Sequence, residues 1–132
     1  MSATESEVDA FLVAYKEAVL KFGWTMWLTE ENKRYLNDSG YTKEDNKDFV
    51  NRLQTKDYSS GPEPDDDIRR PLGEVWKFQK ERDGFDLYIK LKLCDDLTRP
   101  EPVVCMSFHE TARPMIAPLK MPRLRKTPRG RR

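Results

Sequence analysis

Apolar side chains recur at helical spacing through the first fifty residues and at strand spacing through residues 74–110. Val8, Phe11, Leu12, Tyr15 and Val19 make a three-four stripe that predicts an amphipathic helix over Glu5 to Phe22. Thr4 and Glu7 have the spacing of a capping box at its start, and Gly23 stops it. The β-favouring run Trp24 to Leu28 predicts a short strand. Thr29 then suits the N-cap of a second helix, Glu30 to Asn37, ending near Gly40. Thr42 with Asp45 opens a third, whose buried side holds Phe49, Val50 and Leu53.

The pattern changes after residue 57. Gly61, Pro62, Pro64, Asp65, Asp66, Asp67 and Pro71 predict that Asp57 to Leu72 is a long irregular loop, placed as a lid before a sheet. Val75 to Phe78, extending to Lys80, reads as a strand, and Asp83-Gly84 as the turn of a hairpin. In the next strand, Asp86 to Leu93, alternation puts Leu87, Ile89, Leu91 and Leu93 on a core face and Tyr88, Lys90 and Lys92 on the other. Cys94 to Pro102 connects to Val103 to His109, a run dense enough in apolar residues for a central strand. The fold class expected is α+β, N-terminal helices packed on a small antiparallel sheet, as one domain over residues 1–110.

Composition adds a division of charge. The 132 residues carry a net charge of only +1, but residues 111–132 hold eight of the 24 Lys and Arg and no acid. The first 110 residues therefore set 16 cations against all 23 acids, a balance of about −7. With Pro114, Pro118, Pro122 and Pro128 among its cations, the tail reads as an extended or disordered basic arm that would meet a polyanion without reading sequence. No apolar run suits a membrane span, and no secretory pattern opens the chain, so the expected location is the cytoplasm. Cys94 and Cys105 flank a strand connection, where a disulfide is geometrically open; that compartment favours two reduced thiols.

Tyr88, Lys90, Lys92 and His109 are the residue types that metal-free phosphodiester cleavage needs: a base, an acid and cations for developing charge. The same types also suit an ordinary solvated sheet face. One histidine and two separated cysteines make no zinc ligand set, and Asp65-Asp66-Asp67 lacks the spacing of a cation-binding loop. No cofactor motif is present.

The order of these elements and several short strings resemble the MqsR-type messenger-RNA interferase toxins of the RelE-like superfamily. The resemblance covers Phe11 to Glu110. It rests on the helix-strand-helix-helix start, Asp57-Tyr58, Leu87-Tyr88-Ile89-Lys90, and Val104-Cys105-Met106-Ser107-Phe108-His109-Glu110. It implies a RelE-like fold, RNA cleavage without metal or cofactor to a 2′,3′-cyclic phosphate, and a cognate antitoxin as partner. Tyr88 stands at the family's sheet tyrosine, with Lys90 two places on, and His109 falls where members can carry a lysine. Ser60 stands where the family uses a lysine and supplies no charge; Gln79 lies near the place of a family glutamine. The catalytic residues expected are His109, Tyr88 and Lys90, with Lys92, Lys77, Lys80, Arg69 and Arg70 binding RNA. The acidic body departs from a ribonuclease surface. An alternative is therefore a non-catalytic phage- or defence-related module whose arm engages nucleic acid or an acidic protein.

Overall fold

The computed structural model describes residues 2–111 and 115–119; most of the basic arm lies outside the described residues. Three helices start at side-chain caps. In α1 (Glu5–Phe22) Thr4 and Glu7 close a reciprocal capping box, and the chain leaves through Gly23 at φ +87°. Thr29 caps α2 (Glu30–Ser39), which ends at Gly40 in the left-handed region, and Thr42 with Asp45 boxes α3 (Lys43–Val50). Among the described residues no helix is long and apolar enough to cross a membrane.

The strands are β1 (Thr25–Met26), β2 (Tyr58–Pro64), β3 (Gly73–Arg82), β4 (Phe85–Cys94) and β5 (Val103–Glu110), in the sheet order β1-β5-β4-β3-β2. The fold is α+β, but the sheet is mixed rather than antiparallel throughout, because β1 pairs parallel to β5. A parallel pair needs a long crossover, which everything between Met26 and Val103 provides. The expected strand Trp24 to Leu28 shrinks to two residues, with Trp27 adding one further bond to the Cys105 carbonyl.

The first half of the expected loop, Asp57 to Leu72, is a strand. Beyond a short turn at Thr55–Asp57, β2 pairs with β3 through two register shifts. Its prolines are tolerated because β2 is the sheet edge, where a missing N–H strands no partner. Tyr58, fully buried, fixes its start: the hydroxyl donates to the Gly61 carbonyl (2.6 Å) and accepts from Ala3 N–H (2.9 Å). Gly61 is needed where it sits, since its φ is +119° and a Cβ would lie 2.9 Å from the Val75 carbonyl oxygen.

All three helices cover one sheet face. The stripe of α1 meets Trp76, Phe78, Leu87, Ile89, Leu91 and Phe108, with Phe11 stacked on Trp76 at 4.6 Å. Tyr15 is buried at no polar cost, because its hydroxyl donates to the Val104 carbonyl and accepts from Trp24 Nε1, both at 2.9 Å. Past the two residues of β1, Asn32 of α2 continues the edge of β5. Its amide N–H₂ donates to the Met106 carbonyl (3.1 Å) and its oxygen accepts from Phe108 N–H (2.9 Å), as a neighbouring peptide would.

The opposite face is half covered. Residues 65–72 fold over Val75, Val104 and Met106, a small second apolar cluster with Trp27 against it. Lys92, expected to bind RNA on the open face, is only 2% exposed there. Its ammonium donates to Asp65 Oδ2 (2.8 Å) and to the Pro71 carbonyl, while Arg70 reaches Asp65 (3.1 Å) and lies 4.7 Å over Trp27. The loop is thus a clamp on one end of the face, away from Tyr88 and His109, rather than a lid over them. Cys94 and Cys105 are free and buried; Cys105 opposes Leu91 on the helix side, and Cys94, one step beyond core-facing Leu93, points to the other. Opposite faces rule out a bridge between them.

Candidate functional site

The open half of the outer face is a short grid set by strand register. One row runs Gln79, Tyr88, His109, and the next runs Ser60, Lys77, Lys90, Ser107. Tyr88 and His109 are direct cross-strand partners, with rings 5.6 Å apart at 60°. His109 Nδ1 lies 3.0 Å from the Glu110 carbonyl oxygen. A carbonyl can only accept, so in this contact Nδ1 is the donor, which leaves Nε2 as the ring nitrogen for proton exchange with a substrate. Burial pushes the Tyr88 phenol above its ordinary value; nearby Lys77 lowers it, and Glu63 and Glu31 add to the rise. Tyr88 therefore stays protonated at neutral pH and acts as a donor.

The expected RNA-binding cations divide sharply. Lys90 makes no ion pair among the described residues, whereas Lys77 pairs with Glu63 (3.1 Å), Arg69 with Asp67 (2.9 Å) and Arg70 with Asp65. Lys80 opposes Leu87 and so lies on the helix side, 3.5 Å from Asp57. Lys92 is sealed beneath the clamp. Of the residues singled out by sequence, the structure brings together Tyr88, His109, Lys90, Lys77 and Gln79. Ser60 joins them at the end of the Lys90 row. Asp65 and Asp67 are taken up by Lys92, Arg69 and Arg70, and among the described residues no group of three His, Cys, Asp or Glu side chains is placed to hold a metal ion.

One wall of the site comes from a helix that sequence patterning did not connect to it. A cleft of about 390 Å³ lies between Tyr88 and His109 on the sheet and Glu31, Arg34 and Asp38 on α2. Arg34 brings a guanidinium opposite the histidine, but Glu31, Asp38 and Glu110 give the rim more negative than positive charge. The local signal was Asn32, a polar residue in line with Tyr35 and Leu36 on the buried stripe of α2. It marks the face that binds β5 and so turns Glu31 and Arg34 toward His109. Beyond β5, Met115 N–H donates to Gln79 Oε1 (2.8 Å), beside Tyr88. That bond occupies the glutamine oxygen.

This arrangement sets an imidazole, a protonated phenol, a lysine with no ion pair among the described residues and a guanidinium around one open surface. Comparison with protein-family models, with curated proteins and with solved structures gave no match to this chain.

Proposed function

We propose that the chain is a metal-independent endoribonuclease of RelE-like fold, acting in the cytoplasm as the toxin of a toxin–antitoxin pair. The observation that carries the chemistry is the Tyr88–His109 pair, with Nδ1 engaged by the Glu110 carbonyl and Lys90 one row away. His109 Nε2 takes the proton of a ribose 2′-hydroxyl, and the 2′-oxygen attacks the adjacent phosphorus. The bond from phosphorus to the 5′-oxygen breaks as that oxygen receives the Tyr88 proton. The products are a 2′,3′-cyclic phosphate and a 5′-hydroxyl. Lys90 and Arg34 offset the charge on the non-bridging oxygens. The toxin role and the antitoxin partner rest on the resemblance in element order and strings.

Incubation of the full chain with single-stranded RNA in EDTA tests this reading. Cleavage is expected, falling about 10²-fold or more in His109→Ala and in Tyr88→Phe. Unchanged rates in both variants would remove the site. The acidic rim and the paired lysines favour one second reading, a non-catalytic module whose basic arm carries nucleic-acid or acidic-protein binding. It is supported if purified chain leaves RNA intact yet retains it on a filter.

A further inference from the structure

A second cleft, of about 460 Å³, opens on the helix side of the sheet between α1, the turn after α3 and the end of β3. Its wall carries Lys16, Arg52 and Lys80 with the amides of Asn51 and Gln54 and, among the described residues, no carboxylate. On a body of net negative charge this is an unusual concentration, and it is the electrostatic opposite of the cleft beside His109. The nearest acids are engaged or set aside. Asp57 accepts the Gln54 N–H at 2.8 Å and pairs with Lys80 at 3.5 Å, and Asp9 lines the neighbouring depression.

The cations keep spare capacity. Lys16 Nζ donates one of its three hydrogens to the Leu53 carbonyl (2.7 Å), and the Arg52 guanidinium stands 5.5 Å from the Phe49 ring. Burial pushes Lys16 below its ordinary value; Asp57 and Asp9 raise it and neighbouring Lys80 lowers it further, so an anion here would relieve the crowding of charge. Asn51 also lines the cleft, and its Oδ1 is, among the described residues, the one buried side-chain polar atom with no hydrogen-bond partner. A bare oxyanion offers only acceptors and leaves that oxygen unanswered. A ligand with both an anionic group and a hydroxyl or N–H answers it.

We infer that this cleft binds the phosphate of a ribonucleotide, with Lys16, Arg52 and Lys80 taking its charge and Asn51 turning its Oδ1 into the cleft to accept from a sugar hydroxyl or base N–H. The inference does not depend on cleavage at His109. A free nucleotide and an RNA strand share this chemistry.

Calorimetric titration of the full chain with adenosine 5′-monophosphate is the test, with inorganic phosphate alone and a polyglutamate peptide as comparison probes. Saturable binding of the nucleotide is expected. It should weaken about tenfold in Lys16→Gln and in Arg52→Gln, as loss of a charged hydrogen bond implies, and hold within twofold in His109→Ala. Asn51→Ala should weaken the nucleotide and leave inorganic phosphate unchanged. Arg52 is exposed, so its variant keeps the test valid where Lys16→Gln fails to fold. A short RNA, added in the His109→Ala background so that it is not consumed, displaces the nucleotide if the strand is the natural source and leaves it bound if a free nucleotide is. No saturable binding at millimolar nucleotide, equal affinity in both charge variants, or tighter binding of polyglutamate would each overturn the inference, the last in favour of an acidic protein segment.

Discussion

Lys90 and Lys92 share a strand, a face and a charge, yet one has no ion pair among the described residues and the other lies at the centre of a clamp. Removing Lys92 leaves the Asp65 carboxylate, itself 5% exposed, without its closest partner. Lys92→Ala should therefore lose roughly 3–5 kcal/mol, whereas Lys92→Met with Asp65→Leu should stay close to wild type, because no charge is then left buried. Urea unfolding measures both, and equal losses would show that the pair is not the source. The clamp also has a pH signature. Burial pushes Asp65 up, but the Lys92 hydrogen bond, the Asp67 N–H and the charges of Lys92 and Arg70 prevail and hold it below 3.8; Arg69 lowers Asp67 to about 2. Folded values below the unfolded ones mean that these groups stabilise the clamp fully above pH about 4 and lose that contribution as pH falls toward 2. The Trp27 indole N–H resonance, under Arg70, should move with a midpoint below 3.8; one above it would contradict the assignment. Alternation in the sequence placed both lysines correctly on the outer face. What it could not give was the cover, because Asp65 lies 27 residues away and comes from a segment that reads as loop.

At the scale of elements, caps and stripes made the helices legible, since an N-cap contact spans three residues and an apolar stripe needs no knowledge of its partner. The β3–β4 hairpin was legible for the same local reason, with Asp83-Gly84 at its turn. Strand β2 was not. Gly61, Pro62 and Pro64 carry the signature of a loop, and only a position at the sheet edge makes them compatible with pairing. Nor was the docking of α2 on β5, which depends on one side chain. Asn32→Leu should leave the Met106 carbonyl and Phe108 N–H without partners, at about 1–3 kcal/mol for each stranded group. Native-state hydrogen exchange should show the Phe108 amide losing protection while the α1 amides keep theirs. Uniform loss across the sheet would mean that Asn32 is only a general stability residue. The same substitution moves Arg34 and Glu31 relative to His109, so the half of the candidate site missed by patterning is also the half that hangs on this contact.

At the scale of the whole molecule, charge is sorted into regions that a net of +1 conceals. The Tyr88–His109 cleft is rimmed by Glu31, Asp38 and Glu110, the cation-lined cleft lies across the sheet, and residues 120–132 add seven cations with no acid. An RNA bound at the sheet therefore gains little electrostatic help from the rim, and long-range attraction falls to the arm. Ending the chain after Leu119 isolates that contribution, because the Met115 bond to Gln79 and the packing of Leu119 on the core remain. The truncated chain should melt at the same temperature, bind RNA more weakly at low salt, and show a shallower dependence of log affinity on log salt. The slope should fall by roughly 0.7 for each phosphate the arm had neutralised. Single-turnover cleavage at saturating RNA should be unchanged, since His109, Tyr88 and Lys90 are untouched. An unchanged salt slope would instead assign the phosphate contacts to cations of the folded body, with Lys90, Arg34 and the cation-lined cleft as the places to look.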